Sequence, residues 1–133
     1  MGWTVVVSGK FASAHRLADY PGECVNVHGH TWKVEVGVRI DRLDSLGIGV
    51  DFKVLKGALK RILDEFDHAV LMRKGDTVFR DIGCMKKVEF PGNPTAEMIA
   101  VVIYDKMKGE GWNVEWVRVW ESENAYVEYK AEE

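Results

Sequence analysis

His28 and His30 are separated by one residue. On a β-strand this puts both imidazoles on one face with their Cα atoms about 7 Å apart, a spacing suited to holding a metal. Gly29 leaves the backbone between them unobstructed. His15 ends the segment Phe11-Ala12-Ser13-Ala14-His15 and becomes a third ligand if that segment is the partner strand. Three neutral histidines leave one tetrahedral position free, which distinguishes a catalytic zinc site from a closed structural one. A lone His-x-His pair is more often an ordinary surface or core pair, so the metal reading depends on His15 joining it. Cys24 lies four residues before His28, in the connection leading to the ligand strand. The field of a nearby metal would favour its thiolate, making it a candidate base for a carbon-bound proton. Equally open from spacing are a small buried residue and a fourth ligand that closes a structural zinc site.

Two further candidates lie downstream. Asp67-His68 directly follows a helical pattern, where a protonated imidazole is favoured and could serve as a general acid; a plain capping histidine fits as well. Glu121 shares strand parity with Val117 and Val119, so its carboxylate points toward a buried face and needs a partner. A nitrogen-rich heterocycle with adjacent N–H donors would serve, and so would an internal arginine. Cys84 has no histidine or acid motif about it and reads as packing.

The elements that must position these residues follow from periodicity. Thr4 to Ser8 reads as a strand, continued by Phe11 to His15 after a bend at Gly9. From His28 to Ile40 the even positions are His, His, Trp, Val, Val, Val and Ile, against a mainly polar odd set, the alternation of a half-buried strand. Turn chemistry in Asp19-Tyr20-Pro21-Gly22-Glu23 between the two makes an antiparallel hairpin the simplest pairing. Phe52, Leu55, Leu59, Ile62, Leu63 and Phe66 then recur at helical spacing, with Asp51 placed as N-cap. After a mixed stretch with a possible short strand at Lys87 to Phe90, a second helix is expected to start at Asn93, capped by it, with Pro94 in its first turn and Gly109 and Gly111 as its stop. Val114 to Glu121 and Ala125 to Glu128 complete the order β-β-α-α-β-β. The fold class is α+β, with a four-stranded antiparallel sheet and two helices on one face.

A chain of 133 residues, 47% hydrophobic and 29% charged, is the material of a single domain, residues 1–133. The net charge of -3 gives no general attraction for nucleic acid. No apolar run reaches membrane-spanning length and the N-terminus lacks a basic secretory flank, so no membrane partner and a cytoplasmic location are expected. Two cysteines are too few for a disulfide framework.

The order Phe11-x-Ser13-Ala14-His15, Cys24-x-x-x-His28-Gly-His30, Val50-Asp51-Phe52-x-x-Leu55-Lys56, Leu63-x-x-x-Asp67-His68, Asn93-Pro94-Thr95-Ala96-Glu97 and Glu121 resembles the 6-pyruvoyltetrahydropterin and 6-carboxytetrahydropterin synthase family over nearly the whole chain. By that resemblance His15, His28 and His30 bind zinc, Cys24 is the base, Asp67-His68 is an acid/base relay contributed across a subunit boundary, and Glu121 anchors the pterin, with Thr95 and Glu97 also on the substrate side. It implies the tunnelling fold, in which sheets join into a barrel with helices outside, commonly as a homohexamer of two stacked trimers. The implied substrate is 7,8-dihydroneopterin triphosphate. Triphosphate is eliminated, and carboxy-forming members also release acetaldehyde on the way to queuosine or archaeosine. The short Cys24–His28 loop is similar to that of carboxy-forming members; pyruvoyl-forming activity ranks second. An aldolase activity ranks third, since Glu23 sits one position off the pattern of that subgroup. Lys10, Arg16, Arg73 and Lys74 are unranked candidates for the triphosphate. The reading from a different class is a non-catalytic zinc module closed by Cys24.

Overall fold

The computed structural model describes residues 2–79, 85–130 and 132 of the chain, so the expectation that Cys84 packs inside falls outside the described residues. The elements are β1 (Trp3–His15), β2 (His28–Ile40), α1 (Phe52–Phe66), β3 (Ala69–Arg73), β4 (Lys87–Phe90), α2 (Ala96–Gly109), β5 (Val114–Ser122) and β6 (Ala125–Lys130). Short 3-10 turns lie at Glu23–Val25 and Thr77–Phe79.

The sheet has six strands in the order β4-β3-β1-β2-β5-β6, where the sequence predicts four. The four expected strands are present, and β1-β2-β5-β6 pair antiparallel throughout. What the prediction lacks is β3; β4 is the possible short strand read at Lys87 to Phe90, and the two attach in parallel beyond β1, which makes the sheet six-stranded. The reason β3 escapes a periodicity search is burial on both faces. Ala69 and Leu71 join the main core, while Val70 and Met72 pack with Phe79 beneath the other face, so the run is apolar without alternation.

Both helices cover one face of the sheet. The stripe of α1 buries Leu55, Leu59, Ile62, Leu63 and Phe66 against Val7, Phe11 and the even-numbered valines of β2. Ile99, Ile103 and Met107 of α2 pack in the same core with Val117 and Val119. Each such side chain contributes about 1.5–3 kcal/mol when fully buried, so the core holds the strands rigidly under the site. Asp51 caps α1 as expected, accepting from the Lys53 N–H at 2.8 Å. The cap of α2 is Thr95, not Asn93: Thr95 Oγ1 accepts from the Met98 N–H at 3.1 Å. Asn93 is instead committed to Ala18, bonding both its N–H and its carbonyl at 2.9 Å.

Gly9 also departs from expectation. There is no bend, and β1 runs unbroken from Trp3 to His15. A Cβ at position 9 would fall 2.7 Å from Leu63 Cδ1, so the glycine is there to let α1 approach the strand.

Candidate functional site

The registers of the hairpin carry the site. His15 pairs with His28, Ser13 with His30 and Phe11 with Trp32, so all six side chains stand on the face of the sheet that the helices cover, at its far end. The imidazole centroids are 4.5 Å apart for His15 and His28, 5.2 Å for His15 and His30, and 4.9 Å for His28 and His30. Trp32, wholly buried, forms the floor, its ring 5.1 Å from both His15 and His30. Its indole N–H donates to Ser13 Oγ at 2.9 Å, and Phe11 stacks beneath it. Trp32, held by Ser13, packs edge-on against the His15 and His30 imidazoles, a role that sequence reasoning did not assign. The signal was available in their shared parity with the histidines.

The ring nitrogens are sorted by their partners. His15 Nδ1 lies 2.8 Å from the Pro94 carbonyl and His28 Nδ1 lies 2.7 Å from the Asn26 carbonyl. A carbonyl only accepts, so both Nδ1 atoms carry the proton and both Nε2 lone pairs are left for a cation. Burial pushes the His15 pKa down, against the Pro94 bond, and the neighbouring His28 and His30 add to the lowering. His30 is lowered too, by burial first, against the pull of Glu121. Neutral imidazoles are the form in which histidine binds metal.

Glu121 completes the group. In the β5–β6 pairing the register slips between Trp120 and Ser122, which leaves Glu121 as the extra residue of a bulge. Its Oε1 lies 2.9 Å from His30 Nε2 and 3.9 Å from His15 Nε2. One donor atom from each of His15, His28, His30 and Glu121 lies within 4.8 Å of the others. Tetrahedral ligands about 2.0–2.1 Å from zinc stand about 3.3 Å apart, so the set can close on such an ion with small side-chain shifts. Among the described residues His15 Nε2 and His30 Nε2 are buried without a hydrogen-bond partner, and an orphaned buried polar atom costs about 1–3 kcal/mol, which coordination would relieve. The donor set therefore fits a metal.

Cys24 is not one of these converging atoms. It sits half-buried in the 3-10 turn Glu23–Val25, its carbonyl accepting from the Leu17 N–H at 2.8 Å. Arg16 braces the same turn through Val25 O at 3.1 Å while its guanidinium grips buried Asp76 at 2.7 and 3.2 Å. Arg16 is thereby engaged inside the fold, and Arg73 pairs with Asp19 at 3.1 Å. Lys10 and Lys74 are exposed.

Asp67 and His68 lie elsewhere, beside Ala12. Asp67 Oδ1 accepts from the Ala12 N–H at 2.9 Å, and this bond chiefly holds its carboxyl below the ordinary range, with His68 adding to it. Its Oδ2 lies 3.0 Å from His68 Nδ1. His68, at φ 55°, is in the left-handed region, held there by its N–H bond of 2.6 Å to the Ala12 carbonyl. Its ring is 84% exposed and is not part of the histidine cluster of its own chain. Thr95 is occupied as the helix cap, and Glu97 is exposed in the first turn of α2.

The sequence model of the family described as 6-pyruvoyl tetrahydropterin synthase matches residues 4–132. The 6-carboxy-5,6,7,8-tetrahydropterin synthase of Aquifex aeolicus is 30% identical over 99% of this chain and 100% of its own length. The enzyme of the same name from Haemophilus influenzae is 32% identical over 91% of this chain and 94% of its own. Among solved structures, the 6-pyruvoyl tetrahydropterin synthase of Caenorhabditis elegans superposes with a TM-score of 0.73 at 23% identity, covering 99% of this chain and 97% of that one.

Proposed function

The chain belongs to the 6-pyruvoyl tetrahydropterin synthase family, and from that premise we propose that it converts 7,8-dihydroneopterin triphosphate and water to 6-carboxy-5,6,7,8-tetrahydropterin, triphosphate and acetaldehyde. The observation that carries this is the convergence of His15, His28 and His30, two of them with Nδ1 tied to carbonyls, beside the carboxylate of Glu121. The carboxy product is favoured over the pyruvoyl one by the three-residue interval between Cys24 and His28, and by the names of the relatives above.

Zinc is the metal we assign to the three histidines, where it would act as a Lewis acid toward the side-chain hydroxyls of the substrate. Cys24, carried on the braced turn just before β2, takes the carbon-bound proton. Glu121 accepts N–H bonds from the pterin ring and fixes its orientation, with Thr95 and Glu97 on the same substrate side. Asp67 is ionised and holds the Nδ1 side of His68, which leaves Nε2 to move protons. A groove beside Asp67 is lined by Lys10, Lys53 and Lys56, and their ammonium groups suit a polyphosphate.

We further propose a homo-oligomer in which the Asp67-His68 pair serves a neighbouring chain. What supports it is the sheet: β1 meets β3 and the Asp67-His68 turn only from Ala12 to His15, so among the described residues its edge from Trp3 to Phe11 is open, as is the outer edge of β6. Two different open edges on one chain can join head to tail, and such contacts form a ring where the rotation between copies closes. A hexamer of stacked trimers, a cytoplasmic location and a place before queuosine or archaeosine belong to the same proposal. Among the described residues no helix is long and apolar enough to cross a membrane.

The test is to incubate zinc-loaded protein with dihydroneopterin triphosphate and identify the products by mass spectrometry. The 6-carboxy pterin with acetaldehyde is expected. A 6-pyruvoyl product would move the chain to the other branch of the family, and unchanged substrate would refute the reading.

A further inference from the structure

Glu121 has two possible partners and one carboxylate. Its Oε1 is 2.9 Å from His30 Nε2, yet among the described residues that nitrogen has no hydrogen-bond partner. Separations of 2.9 and 3.9 Å from the two orphaned Nε2 atoms bracket the about 3.3 Å expected between neighbouring ligands of one tetrahedral ion. The carboxylate thus occupies the corner that three histidines would leave open. It is also 39% exposed and stands on the extra residue of a bulge, with no cross-strand partner to hold it. A ring with two adjacent N–H groups would engage both carboxylate oxygens, so metal and ring call on the same side chain.

We propose that in the substrate-free protein Glu121 is the fourth metal ligand, and that a pterin ring withdraws it and thereby opens the coordination position to the substrate's side chain. This rests on the pterin reading given above. Ring recognition then gates the metal: water is kept off the ion until a ring is seated. Linkage makes the effect reciprocal, so a ring without a side chain weakens metal binding by the factor by which metal weakens ring binding.

The experiment uses cobalt(II) in place of zinc, with 7,8-dihydropterin, which carries no side chain at C6, as the ring probe. Visible absorption and cobalt affinity are measured for wild type, Glu121→Gln, Glu121→Ala and His28→Ala, with circular dichroism to confirm folding. Both Glu121 variants are expected to bind cobalt at least about tenfold more weakly, with an altered visible band. Adding 7,8-dihydropterin should shift the wild-type band toward that of Glu121→Ala and leave the variant's own band unmoved. Wild-type band and affinity in both Glu121 variants would overturn the exchange while leaving the histidine site standing. A wild-type cobalt band in His28→Ala would instead overturn the metal reading beneath it.

Discussion

Asp76→Ala should be strongly destabilising, because it strands a cation. The Asp76 side chain is 2% exposed and that of Arg16 17%. The pair makes two hydrogen bonds, at 2.7 and 3.2 Å, and Asp76 also accepts from the Val78 N–H at 3.1 Å. Removing one member of a buried pair costs about 3–5 kcal/mol, since the other charge is left without a partner. At a urea slope of about 2 kcal/mol/M the midpoint should fall by about 2 M with the slope unchanged, measured at one protein concentration. The double variant Arg16→Met/Asp76→Leu should recover most of the loss, because no charge is then stranded. Burial pushes the Asp76 carboxyl up, but the Arg16 bond, the Val78 N–H and the charges of Arg16 and Arg73 outweigh it, so the net shift is downward from 3.8. A depressed folded pKa gives stability that is present above the unfolded value and lost as pH falls through the folded one. The gap between wild type and Asp76→Ala should therefore be full at pH 7 and shrink only below pH 3.8. Turnover should drop as well, since Arg16 also holds the Cys24 turn. A midpoint within about 0.3 M of wild type at that urea slope would refute the stranded-charge argument.

Two further outcomes separate the roles within the site. His28→Ala should lose stoichiometric metal and activity while keeping its circular dichroism, because the hairpin is held by Trp32 and the valines rather than by the ion; metal analysis showing full occupancy would remove His28 from the ligand set. Cys24→Ala should keep metal and pterin binding but lose about 10²–10⁴-fold in turnover, the usual worth of a general base, and near-normal turnover would assign the proton to another group.

Much of the site could be read from the sequence because it is carried by strand parity. His28, His30 and Trp32 declare their common face through the alternation of β2, and Glu121 declares its own through Val117 and Val119, all of which are buried or half-buried as expected. What could not be read depends on partners distant in sequence. Asn93 has the chemistry of a cap but is taken by Ala18, 75 residues away, and Thr95 inherits the helix end. The approach of Glu121 to His30 comes from a register slip against β6, which no local pattern announces. The lysines beside Asp67 come together only once α1 lies along β1.

Gly9 shows how closely the site depends on such packing. A glycine between two apolar segments reads as a bend, and a bend there would free Phe11 to His15 from the pairing that begins at Trp3. A slip of one residue would turn every later side chain to the other face, taking His15 away from His28 and Ser13 away from Trp32. The strand stays straight because Leu63 of α1 presses against it where a side chain would otherwise stand. Thirteen residues of unbroken β1 then carry the register from the core to His15. The third histidine is thus positioned by a helix contact six residues away from it in sequence, and a change that lifts α1 off Gly9 should be felt first as a loss of metal affinity.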